Sequence, residues 1–196
     1  YARDLVELNH AQTGDLIHEE HQLHYLIDYA VERINIQTQE KHIKIKVLHD
    51  GSQSAWVLVD GELIERAFIN LISKAIRYSP PHSTVSIQLK YDDINHPQWV
   101  SVLIADQGAG MNAALQQALL QGLHENDTKN GSGTNGAQNI KGVTGVTSSV
   151  EPDAAGSMGI GWRMVRSIIR RHHGRLNIKS EQGQGATVIV SLPLVD

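Results

Sequence analysis

Apolar residues recur every three to four positions in "QLHYLIDYAVERINIQTQEKH", where Leu23, Leu26, Ile27, Ala30, Val31 and Ile34 share one stripe and predict an amphipathic helix. The opening segment "YARDLVELNHAQTGDL" sets Tyr1, Leu5, Leu8 and Ala11 on a narrower stripe, as in a helix packing on one partner, with Gly14 to end it. Period two takes over in "IKIKVLHD" and "AWVLVD", two short strands with Gly51 and serines between them that read as a hairpin. Asp60 stands as the cap of a further helix. Its buried stripe runs Ile64, Ala67, Phe68, Leu71, Ile72, Ala75 and Ile76 until "SPP" stops it.

Two more strands follow in "TVSIQLKYD" and "WVSVLIAD", then a short helical piece, "NAALQQALLQGL". The stretch from Asn126 to Met158 is dominated by Gly, Ser, Thr and Asn and has no aromatic residue, which reads as a long functional loop. "GIGWRMVRSIIRRHHG" is a helix opened by glycines and closed by Gly174; "RLNIKS" and "TVIVSLPL" then form strands across a "GQG" turn. This order predicts an α+β two-layer sandwich, a mixed sheet of about five strands covered on one face by about three helices. Residues 1–20 read as a helix end with linker and 21–196 as the main domain, without internal repeats.

Composition narrows the function classes. The 196 residues are 40% apolar and 19% charged with a net charge of -4, which suits one globular domain and gives no basic footprint for nucleic acid. With no cysteine, disulfides, thiolate metal sites and cysteine nucleophiles are excluded, and a reducing cytoplasm is compatible. No apolar run approaches the ~20 residues of a membrane-spanning helix.

Three places can carry chemistry. In "NLISKAIRYSP", Asn70, Lys74, Arg77 and Tyr78 are spaced i, i+4, i+7 and i+8 along the edge of the buried stripe and form one surface. "DQGAG" follows a strand, so Asp106 is held rigidly while Gly108 and Gly110 let a flat ligand approach the backbone. Gly159 and Gly161 open a helix, whose unpaired N–H groups and positive dipole end attract phosphate. Taken singly each has a bland reading, as a solvated edge, a Gly-rich turn or the end of a loop. His18, His21 and His24 fall at helical spacing, yet no carboxylate or cysteine completes a metal site, and they read as solvated histidines. His172 and His173 belong beside a helix C-terminus.

Taken in order, these motifs resemble the catalytic, ATP-binding domain of bacterial two-component sensor histidine kinases, members of the GHKL superfamily with the Bergerat fold. The resemblance runs from about Leu23 to Leu194, and the first helix resembles the end of the dimerisation and phosphoacceptor hairpin. It implies that Asp106 accepts a hydrogen bond from the adenine amino group, with Gly108 and Gly110 beside the base, Tyr78 lining its pocket and Arg77 near phosphate. Asn70 matches an asparagine close to magnesium and the phosphates. Met158, Gly159 and Gly161 match the second glycine box, Thr187 matches a position near the adenine end, and residues 111–158 match the ATP lid.

The implied partners are ATP, the phosphoacceptor hairpin of the same protein, a response regulator and a second copy in the full-length homodimer. The implied location is the cytoplasmic side of an inner-membrane sensor protein. Lys74 replaces the second asparagine of the helix motif, and an ammonium has only donors, which counts against Mg2+. Ser157 stands where a box glycine is expected, Trp162 and Arg163 replace a smaller pair, and the lid phenylalanine is missing. Two functions are thus expected in competition: a kinase domain donating the ATP γ-phosphoryl to a histidine outside this chain, with Asn70 and Lys74 catalytic, or a degenerate pseudokinase docking module. A serine kinase of the anti-sigma type shares the fold but lacks a hairpin-like first helix.

Overall fold

A computed structural model describes residues 6, 9, 11–48, 54–93, 95–121 and 153–195, the side chains of 153–158 excepted. Five strands form one mixed sheet: β2 (Lys44–Leu48), β4 (Thr84–Tyr91), β5 (Trp99–Ala105), β7 (Ala186–Pro193) and β6 (Arg175–Ser180), in that spatial order. β2 and β4 are parallel; the other pairs are antiparallel. Helices α1 (Leu23–Arg33), α3 (Gly61–Tyr78) and α5 (Asp153–Arg171) pack side by side over the sheet, with α3 in the middle. The chain thus adopts the α+β sandwich expected from the order of its elements.

Alternation makes the sheet one-sided. Val85 and Ile87 on β4, Val100, Val102 and Ile104 on β5, and Val190 and Leu192 on β7 are buried against Ile64, Phe68 and Ile72 of α3 and Val165, Ile168 and Ile169 of α5. Helix α3 is fixed at both ends. The Asp60 side chain accepts from Leu63 N at 3.1 Å, a cap worth about 1 kcal/mol. Lys41, at the end of α2 (Asn35–Lys41), donates to the carbonyls of Ile76, Arg77 and Ser79 at the other end.

Four local expectations are corrected. The hairpin of residues 43–60 does not form: β2 joins the main sheet beside β4, whereas β3 (Trp56–Val59) pairs antiparallel with β1 (Glu19–Gln22) in a separate two-stranded sheet. Alternation defines which face is buried, not which neighbour is paired, and the long excursion through β3 and α3 supplies the crossover that parallel β2 and β4 require. His18, His21 and His24 lie before β1, within β1 and in the first turn of α1, so they share no helix. The helix expected over 22–42 breaks at Ile34 (φ -103°, ψ 6°), which separates α1 from α2 and has no side-chain cap. Finally, α5 begins at Asp153, so Gly159 and Gly161 lie past its first turn, where N–H groups are already paired within the helix. They do not open it.

The α5 end carries a second joint. His172, 2% exposed, accepts from Asp60 N through Nε2 at 3.0 Å, which leaves Nδ1 as the donor to Ile168 O at 2.7 Å. Asp60 Oδ2 accepts from Ile17 N, and Arg171 donates to the carbonyls of Ala11 and Gly14, so the N-terminal segment is tied to both helices. At the C-terminus it is His173 that takes the left-handed conformation (φ 55°), while Gly174 lies so near Ile169 and Ser191 that a Cβ would collide.

Burial, chiefly, lowers the His172 pKa from its ordinary 6.5, with His18 and Arg171 acting in the same direction. The unfolded chain takes up the proton at 6.5, the folded chain only at lower pH, so this stability is complete above 6.5 and is lost as pH falls through the depressed value. Thermal melts across this range should show a shallower acid-side decline for His172→Gln, whose amide can reproduce both hydrogen bonds without a charge, than for the parent. Identical declines would remove His172 from the account.

Candidate functional site

A cavity of about 260 Å3 opens between α3, the end of β5, β7, α4 (Ala113–Gln121) and α5. Leu71, Lys74, Ala75 and Tyr78 reach it from successive turns of α3, Asp106, Ala109 and Gly110 from the glycine turn, and Trp162 from α5. Its remaining wall, from Ile104, Leu115, Leu119 and Val188, is apolar, a surface suited to a flat ring system. Two charged residues line it, Asp106 and Lys74.

Asp106 follows the last residue of β5, and its backbone N–H donates to Ala186 O at 2.8 Å, extending the β5–β7 ladder. Its Oδ1 accepts from Gly108 N at 2.8 Å and Ala186 N at 3.2 Å. Both bonds fall on one oxygen, which fixes the carboxylate and leaves Oδ2 for a ligand. Burial raises the pKa above the ordinary 3.8, and these two bonds oppose it.

Each glycine of the turn has a close neighbour. A Cβ on Gly108 would stand 2.7 Å from Tyr78 O, so this glycine lets the turn abut the end of α3. Gly110 has φ +71° and lies against Glu181 O. The turn is pinned from below, since Met111 N donates to Ser180 Oγ and Gln116 Nε2 donates to Met111 O and Ser180 O.

Lys74 is half-buried, and among the described residues no carboxylate pairs with it. Burial, then Arg77, pushes its pKa below the ordinary 10.5. One turn earlier, Asn70 packs against Gly161: a Cβ there would lie 2.8 Å from Asn70 Nδ2 and 2.9 Å from Oδ1. That oxygen is buried with no hydrogen-bond partner. Gly161 therefore serves a helix-to-helix approach.

The structure brings Lys74, Tyr78, Asp106 and Gly110 into the cavity wall, with Gly108 behind the turn and Asn70 and Gly161 in contact at its edge. Arg77 is exposed and does not line the cavity, nor does Gly159. Thr187 lies between Ala186 and Val188, which do line it, and strand alternation sends Thr187 to the other face. The Met158 side chain and the lid residues 122–152 lie outside the described residues. Sequence reasoning missed Ala186, whose N–H holds Asp106, and Gly185, at φ +80° against Asp106 O. It also missed Trp162 as a wall residue, whose indole donates to Leu119 O. The "GQGATV" turn and the Leu71–Ala75 stripe were the available signals.

The described residues do not fit a divalent cation. Asn70 Oδ1 is a free oxygen, but an ammonium stands one turn away, and among the described residues no three His, Cys, Asp or Glu side chains cluster. The described helices include none long and apolar enough to cross a membrane.

Known proteins resemble this chain in sequence and in fold. The chain is 23% identical over 194 residues to the signal transduction histidine-protein kinase/phosphatase MprB of Mycobacterium bovis, covering 97% of this chain and 32% of that protein. It is 24% identical to the sensor-like histidine kinase SenX3 of Mycobacterium tuberculosis, covering 86% of this chain and 34% of that one. The chain thus spans about a third of the curated relatives it matches. Among solved structures, a mycobacterial sensor histidine kinase MprB superposes with TM-score 0.63 at 21% identity, covering 91% of this chain and 98% of that one. Full-length ShkA in complex with AMPPNP superposes with TM-score 0.70 at 17% identity, covering 98% and 35%. The family profile described as histidine kinase-, DNA gyrase B-, and HSP90-like ATPase matches residues 59–196, which include the helix, the acid and the glycine turn around the cavity. By that match, over more than half its length, the chain belongs to this ATPase family.

Proposed function

We propose that the chain is the ATP-binding catalytic domain of a sensor histidine kinase, donating the ATP γ-phosphoryl to a histidine outside these residues. The observation that carries the reading is the fixed Asp106 carboxylate, with one oxygen held by two backbone N–H groups and the other free beside an apolar cavity that Lys74 shares. Oδ2 accepts from an adenine amino group, the apolar wall and Tyr78 hold the ring, and Lys74 with exposed Arg77 meets the phosphate charge. Transfer then depends on positioning and charge stabilisation, with no covalent intermediate in this domain. The phosphoacceptor hairpin, a homodimer built on it, a response regulator and a cytoplasmic location complete the reading; the tie between Arg171 and the N-terminal segment offers a route for hairpin movement to reach α5.

A second reading has two sequence features in its favour. Lys74 stands where the family resemblance places a second asparagine and the lid phenylalanine is missing, so a pseudokinase module that binds nucleotide or docks without transferring phosphate is the alternative. Incubating the longer protein, hairpin included, with γ-labelled ATP separates the two: label on a hairpin histidine supports the kinase, and bound but untransferred nucleotide supports the module.

Asp106→Asn tests the adenine contact. The folded carboxyl keeps its proton to higher pH than the unfolded one, so stability falls as pH rises from 3.8 through the raised value, and the penalty is complete above that value. Asparagine removes that penalty but places a donor toward the adenine amino group. Calorimetry should therefore show unchanged or higher thermal stability without nucleotide at pH 7, with affinity for ATP reduced about tenfold or more. Unaltered affinity would refute the contact.

A further inference from the structure

We propose that this site grips the triphosphate of a purine nucleotide without a divalent cation, the Lys74 ammonium supplying the positive charge there. The inference rests on the nucleotide-binding reading above and deepens it.

Four features in and beside the cavity lead there. Lys74 lines the same hollow as Asp106, so a ligand held at the carboxylate extends toward the ammonium. Among the described residues no acid neutralises Lys74, whose side chain is half-buried, which leaves an anion as its natural partner. The second cation on this edge, Arg77, lies three residues on, so the stretch from Asn70 to Tyr78 offers two positive charges and no negative one. Asn70 Oδ1 is buried without a partner one turn before Lys74, and its amide can offer oxygen to the ammonium or nitrogen to a phosphate.

A divalent cation cannot join this arrangement on equal terms. Beyond the oxygens that phosphate and water bring, the described residues offer it one amide oxygen, and that oxygen stands one turn from a like charge. A lysine ammonium binds phosphate as a compact point charge with three donors, and it needs no dehydrated ion to do so. The triphosphate therefore meets a resident cation, and magnesium becomes dispensable for binding.

The test measures the affinity of a fluorescent ATP analogue in excess EDTA and in excess magnesium, for the parent, Lys74→Asn and Lys74→Arg, with adenosine competition as a control for the base site. The parent should bind equally, within about twofold, in the two conditions; Lys74→Asn should lose about tenfold or more in EDTA and regain affinity with magnesium. Lys74→Arg keeps the charge and should stay insensitive to magnesium. Adenosine, which has no phosphate, should compete equally against all three proteins, and this control also shows that each variant is folded. A parent that needs magnesium overturns the inference while leaving nucleotide binding intact, as does a Lys74→Asn protein that binds like the parent in EDTA. Absence of any nucleotide or adenosine binding overturns both the inference and the reading beneath it.

Discussion

The clamping of α3 at its two ends is the constraint on which the site depends. Asp60 closes the first turn and Lys41 gathers three carbonyls at the last, so the helix can neither slide nor fray over the sheet. Its buried stripe, from Ile64 through Ile76, locks the rotation, and with rotation locked the edge residues have one direction to point. Lys74 and Tyr78 reach the cavity because Phe68 and Ile72 are held in the core. Truncating Phe68, which is fully buried, would cost about 3–5 kcal/mol and release the edge with it.

The opposite wall is built from backbone geometry more than from side chains. Asp106 is aimed by two N–H groups, from Gly108 within its own turn and from Ala186 across the sheet. Gly108 and Gly185 are needed because a Cβ at either would strike a carbonyl. The acid therefore cannot tilt without breaking both hydrogen bonds. A carboxylate with one oxygen committed and the other presented to an apolar hollow selects for a donor on a flat ligand, which is the requirement an adenine amino group meets.

Features set by local pattern were legible in the sequence. The α3 stripe, its Asp60 cap, the strands around Asp106 and the glycine turn all follow from periodicity and residue type, and from them the sandwich and its family. What local pattern could not supply was partner choice. The strand Trp56–Val59 has the alternation of any half-buried strand, and only the assembled fold sends it to Glu19–Gln22 rather than to its sequence neighbour. Gly161 illustrates the same limit: two glycines before a helical stripe read as a helix start, whereas the helix continues back to Asp153 and the missing Cβ admits Asn70. The roles of Ala186 and His172 rest on contacts with residues distant in the chain, Asp106 and Asp60, and no short window contains either pair.

One cavity, holding the base at Asp106 and the phosphates at Lys74, is the central claim, and an NMR titration of the nitrogen-15-labelled protein with a non-hydrolysable ATP analogue tests it most directly. The backbone amides of Gly108, Gly110 and Ala186 and the indole N–H of Trp162 should shift together along one saturable curve. Saturable shifts confined to another face of the sheet, with these four signals unmoved, would contradict it.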